Sequence, residues 1–163
     1  MVDGAFSQFV KDFPNDTACL EEVRKMKYPE GIICRTCKKR TKHYRIKNRL
    51  AYGCVVCRRH TFPLTTTIFE KSSTSLRLWF YALFLMTHTR GSLTVIQLQH
   101  ELGVTYKTAW RMKTLIKKQM LSNMDDLYAP LLSEDAQISV RKWTFFKHFE
   151  IAVIEQEDST GES

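Results

Sequence analysis

Four cysteines set the tightest constraint on this chain. The run CRTC at 34–37 is answered by CVVC at 54–57, so the thiols follow C-x2-C-x16-C-x2-C. Two Cys separated by two residues let one tight turn present both sulfurs to a single ion. Two such turns held together by a hairpin give the tetrahedral four-thiolate geometry that zinc prefers. A segment of about 30 residues cannot bury a sufficient core alone. Metal binding, worth about 10–16 kcal/mol in small zinc peptides, supplies the missing folding energy. The expectation is one structural Zn2+ per chain, held by Cys34, Cys37, Cys54 and Cys57. A rubredoxin-like iron site shares this spacing and stays open. Two disulfides would need an oxidising compartment, for which nothing argues, and a redox C-x-x-C would be expected once, beside a βαβ pattern. Cys19 is expected as a buried core thiol, and His43 and His60 as bystanders to a shell already filled.

The thiols lie in the most basic part of the chain. The net charge is −4 over residues 1–22, +18 over 23–121 and −6 over 122–163. Zinc with four thiolates carries a charge of −2, which does not require the ten Lys and Arg found between positions 35 and 59. The surplus points to phosphate, with Lys42, Arg45, Lys47 and Arg49 as candidate contacts. No stretch reaches the roughly 20 apolar residues of a membrane span. The N-terminus lacks the basic and apolar runs of a secretory signal, so a cytoplasmic, nucleoid-associated protein is expected.

Residues 15–27 read as a short helix capped by Asn15 or Asp16. The alternation of Tyr44, Ile46, Leu50 and Tyr52 about the tip Lys47-Asn48-Arg49 predicts a hairpin. From Ser75 the period becomes helical: Leu76, Trp79, Phe80, Leu83 and Phe84 share one stripe, and Arg90-Gly91-Ser92 breaks it. That helix is apolar around most of its circumference, which makes a homodimer one way to cover it. A second helix follows from Thr94 to about Leu102, with Thr94-x-x-Gln97 as a capping box, and Gly103 ends it. A third runs from Thr105 to about Leu121.

The last two helices have the layout of a helix-turn-helix. Ile96, Leu98 and Leu102 belong to the supporting helix, and Ala109, Met112, Leu115 and Ile116 turn inward on the next. Tyr106, Lys107 and Arg111 fall where such a motif reads base edges in the major groove, and Lys113 and Lys117 add charge to the same helix. The fold class expected is α+β in small units. These are an N-terminal helical segment (1–31), a four-cysteine zinc ribbon with a connecting arm (32–72), a three-helix helix-turn-helix (73–122) and a short mixed acidic remnant (123–163).

Taken in order, FPNDTACLEEVRKMKYPEGIICRTC, the second knuckle, TIF, LRLWFYALFLM and LGVTYKTAWRM resemble the N-terminal half of ISXO-like (Merlin-related) insertion-sequence transposases over roughly residues 13–122. The resemblance implies a zinc ribbon and helix-turn-helix that together recognise double-stranded DNA at terminal inverted repeats. In that family an RNase H-like nuclease domain follows, beginning on a strand with an acidic pair. Here the comparable run is Ala136-Gln137-Ile138-Ser139-Val140, with Ser139 near the place of the first catalytic Asp. Two-metal phosphoryl transfer needs several converging carboxylates. The expectation is therefore a truncated or decayed transposase relative without nuclease activity of its own. The alternatives are the DNA-binding half of an active transposase completed by another chain or frame, and a zinc-ribbon adaptor for other proteins.

Overall fold

Asn15 has extended backbone, and its side chain accepts from the N–H of Ala18 at 3.0 Å, which starts a helix at the next residue. The computed structural model describes residues 2–122; the acidic segment from 123 on, with Ser139, lies outside the described residues. Helix α1 (Val2–Asp12) precedes α2 (Asp16–Lys27). Three short strands follow, β1 (His43–Arg45), β2 (Tyr52–Cys54) and β3 (His60–Thr61), then α3 (Leu76–His88), α4 (Val95–Leu102) and α5 (Tyr106–Ser122). The chain divides into two compact units, one of residues 1–65 with 69–77, the other of 66–68 with the described residues from 78 on.

In the first unit the strands form an antiparallel sheet in the order β1-β2-β3. The hairpin exists as expected, but its register differs by one residue. A tip centred on Asn48 would pair Tyr44 with Tyr52; instead Tyr44 faces Gly53 and Arg45 faces Tyr52. A shift of one residue sends side chains to opposite faces, so Tyr52 is buried while Tyr44 stands on the outer face. The physical cause is local. Asn48 adopts the left-handed conformation (φ 59°) and the N–H of Ile46 bonds to Ala51 O, lengthening the loop by one residue. Gly53 is also the residue that fits opposite Tyr44: a Cβ there would lie 2.6 Å from Tyr44 Cζ.

Helix α2 covers the inner face of this sheet. Tyr52 Oη donates to Glu21 Oε2 at 2.6 Å, and the same carboxylate accepts from Arg24, whose guanidinium lies 5.9 Å from the Tyr52 ring centre. At the other end of α2, Lys27 Nζ donates to the carbonyls of Pro63 and Thr65, fastening the chain that leaves β3. Helix α1 lies within the expected N-terminal helical segment, although only residues 15–27 were delimited there as a helix. Its signal is Phe6, Phe9, Val10 and Phe13 at helical spacing, with ring centres 6.5 Å apart for Phe6–Phe9 and 5.4 Å for Phe9–Phe13.

In the second unit, Leu83, Phe84 and Met86 of α3 are buried, as are Trp79, Phe80 and Ala82. Leu78, Tyr81 and Leu85 of the same helix are half-buried, so most but not all of its apolar circumference is covered. Arg90 (φ 52°) and Gly91 (φ 74°) turn the backbone out of the helix. The expected capping box of α4 is present in both halves: Thr94 Oγ1 accepts from the Gln97 N–H at 3.1 Å, and Gln97 Oε1 accepts from the Thr94 N–H at 2.9 Å. Gly103 ends α4 in the left-handed conformation (φ 63°), where glycine has no steric penalty. Val104 and Thr105 complete a short turn, and the Thr105 hydroxyl accepts from the Thr108 N–H to open α5. Leu98 and Leu102 of α4 are buried, as are Ala109, Met112 and Ile116 of α5. Ile96, placed on the supporting helix from sequence with Leu98 and Leu102, is exposed. No helix among the described residues is long and apolar enough to cross a membrane.

Candidate functional site

The two C-x-x-C turns share one backbone design. In the first, Lys38 N–H returns to Cys34 O at 2.9 Å and Cys34 N–H bonds to Lys39 O at 3.1 Å. In the second, Arg58 N–H returns to Cys54 O at 2.9 Å and Cys54 N–H bonds to Arg59 O at 2.9 Å. Both turns place the residue after the second Cys in the left-handed region, Lys38 at φ 55° and Arg58 at φ 60°. Glycine is the residue ordinarily favoured there, so each turn carries a small strain.

The four sulfurs converge within 4.8 Å of one another, with Cys34 Sγ 3.4 Å from Cys57 Sγ and Cys37 Sγ 4.0 Å from Cys54 Sγ. Tetrahedral zinc with Zn–S near 2.3 Å needs sulfurs about 3.8 Å apart, so the cluster fits such an ion without rearrangement of the turns. The four thiols are free, with no disulfide, and so is Cys19, which is fully buried. Burial, with a smaller effect from Asp16, pushes the Cys19 thiol up to about 12, as expected of an inert core group.

The first Cys of each turn is the one whose thiol pKa is lowered. The Cys37 N–H, with smaller help from the Cys57 thiol and the Thr36 N–H, holds Cys34 below the usual thiol range. The Cys57 N–H, then the Thr41 hydroxyl 3.2 Å away, then the Val56 N–H, bring Cys54 down to about 6. Cys37 is pushed the other way, up to about 12, chiefly by its hydrogen bond to Cys57 and then by burial. Metal binding must therefore displace the Cys37 proton. Thr41 was not singled out from sequence; its polar side chain four residues past Cys37 gave no specific signal. His43 bonds through Nδ1 to Thr41 O at 2.9 Å rather than to the thiols, and His60 is exposed.

The candidate DNA contacts divide between the units. Lys42 is exposed just before β1, and Lys47 and Arg49 are exposed at the hairpin loop, while Arg45 shares the inner face with its partner Tyr52. Of the ten bases from 35 to 59, Arg40 alone has a carboxylate within ion-pair distance among the described residues, Glu30 at 2.6 Å. On α5, Tyr106, Lys107, Arg111 and Lys117 lie on one exposed face together with Thr114 and Lys118. Lys113 stands at the margin of that face, half-buried, its ammonium pKa lowered first by burial and then by Lys117. Trp110, overlooked in the sequence, is 54% exposed in the middle of the face, one turn from Tyr106 at 53%. Its spacing of four from Tyr106 was the available signal.

The sheet, the paired turns and the four convergent thiols define a metal-ribbon domain backed by a helix. Residues 14–60 match the family model of a transposase zinc-ribbon domain, a span that runs from the turn before α2 into β3. Over 106 residues, 63% of this chain, the sequence is 31% identical to a Halobacterium salinarum protein described as an uncharacterized protein in transposable element ISH50. The chain spans about a third (35%) of that relative's length. No solved structure matches it. The transposase resemblance seen in the sequence thus has support at the level of the zinc-ribbon domain and of a relative from a transposable element.

Proposed function

We propose that this chain is a transposase-related DNA-binding protein: a zinc-loaded ribbon that grips phosphates, and a helix-turn-helix, α4–α5, that reads duplex sequence at transposon ends. The observation that carries the reading is the exposed face of α5. From residue 106 to 122 the helix contains no acid, and Lys107, Arg111, Lys117 and Lys118 stand on its open side beside Tyr106 and Trp110. Such a face attracts phosphate before anything else and offers side chains long enough to reach base edges. The Gly103 turn and the capped start of α5 support the helix-turn-helix assignment. Zinc, bound by Cys34, Cys37, Cys54 and Cys57, would hold the ribbon's two turns together.

Enrichment from a random duplex pool by the zinc-loaded chain tests this, followed by salt titrations on the selected and a scrambled site. Arg111→Ala should cost about 1–3 kcal/mol on the selected site and much less on the scrambled one. Equal losses on both would make α5 a phosphate clamp rather than a reader, and failure to enrich any sequence would favour an adaptor for other proteins.

A further inference from the structure

The outer face of the ribbon carries an arrangement that phosphate binding does not use. Tyr44 of β1, Gly53 of β2 and His60 of β3 are direct partners across the sheet, so they stand in one row on one face. Phe62 follows two residues after His60, and the two rings meet edge to face at 6.4 Å. The phenol end of Tyr44 lies over Gly53, whose missing side chain leaves room for it. Tyr44 is 46% exposed and Phe62 50%, and His60 is exposed as well. The face opposite is occupied by Tyr52 and α2; this one has three rings and open solvent.

We infer that Tyr44, His60 and Phe62 form a stacking platform for unpaired bases of a DNA strand. Bases already stacked in a duplex offer no free faces to these rings. An unpaired base does, and every base has a π-face to lay on a ring. The charge around the platform selects the occupant: no Asp or Glu occurs between Glu30 and Glu70, and ten Lys and Arg lie from 35 to 59. Lys42, two residues before Tyr44, is exposed and without a carboxylate within ion-pair distance among the described residues. A polyanionic strand with exposed bases matches both halves of this surface, whereas an apolar protein partner would leave the charge unpaired. The platform is independent of α5 and extends the proposed function to a second form of DNA.

The test uses the full metal-loaded chain and fluorescently labelled strands of about 10 nucleotides. The ligands are an oligothymidine, an abasic strand with the same number of phosphates, a duplex and an oligouridine. The wild type should bind oligothymidine at least about fivefold more tightly than the abasic strand. Tyr44→Ala and Phe62→Ala should each weaken oligothymidine binding roughly 5- to 150-fold, leaving abasic and duplex binding unchanged, while Tyr44→Phe keeps the wild-type value. Arg111→Ala should leave the ratio of oligothymidine to abasic-strand affinity unchanged, because both strands carry the same phosphates, which separates this platform from the α5 reading. Equal wild-type affinity for the oligothymidine and abasic strands overturns the inference without recourse to any variant. Binding of oligouridine alone overturns it too.

Discussion

The contact between Glu21 and Tyr52 makes α2 part of the ribbon's fold, and its strength can be worked out from the structure. Tyr52 is buried, and its hydroxyl donates to Glu21 Oε2 at 2.6 Å, a charge-assisted bond. Glu21→Ala leaves that hydroxyl buried without its acceptor, a cost of about 1–3 kcal/mol. It also removes the Arg24 ion pair, but the Glu21 side chain is 38% exposed, so that pair contributes no more than about 1 kcal/mol. The expected total is about 1–4 kcal/mol. Tyr52→Phe removes the donor while the carboxylate keeps Arg24, and should cost about 1–1.5 kcal/mol. If the two groups act through one bond, the double variant should fall short of the sum by about 1 kcal/mol. The assay is urea titration of the metal-loaded chain, followed by transfer of the released ion to a chromogenic chelator, a signal specific to opening of the ribbon. Losses that add to within about 0.3 kcal/mol would show that α2 and the sheet do not depend on this bond.

Elemental analysis of protein purified under reducing conditions should give one zinc per chain. Chelation or Cys34→Ser should abolish the structure of residues 32–63; iron, or no metal, would refute the assignment. Lys38→Gly and Arg58→Gly should each stabilise the metal-loaded ribbon by about 0.5–1 kcal/mol, because both residues are held at positive φ, read as a higher urea midpoint in the same assay. Lys42→Ala with Lys47→Ala should weaken binding to all DNA and flatten the slope of log K against log salt by up to about 0.9 per lost phosphate contact. Arg24's hydrogen bonds, then that of Tyr52, hold the Glu21 carboxyl below its ordinary range against the opposing effect of burial. The resulting stability is present above pH of about 4.3 and lost as pH falls through the lowered folded value, whereas Glu21→Gln should flatten that acid limb in a pH series of urea midpoints.

What could be read from the sequence was local. Thr94, Gln97 and Gly103 cap α4 with atoms no more than four residues apart, so the boundaries of that helix were visible before any tertiary contact was known. The thiol spacing declared its cluster for a similar reason: each half is one tight turn, and only the joining of two halves needed inference. The hairpin register was not legible, because it depends on how Tyr44 lies over Gly53 and on the left-handed Asn48, not on alternation alone. The Glu21–Tyr52 bond spans 31 residues and has no sequence signature. Trp110 reads as one more apolar residue of a helix until the buried set, Ala109, Met112 and Ile116, shows which way the helix faces.

The convergence of four thiols from two separate turns has a consequence for how much folded protein a cell can hold. A ligand that binds the folded chain and not the unfolded one adds stability that grows with the logarithm of its free concentration. With one metal ion joining the turns, each tenfold rise in free metal above the dissociation constant adds about 1.4 kcal/mol to the ribbon. The ribbon then has no single stability. Its folded fraction would follow the free metal available and fall when other proteins draw that metal down.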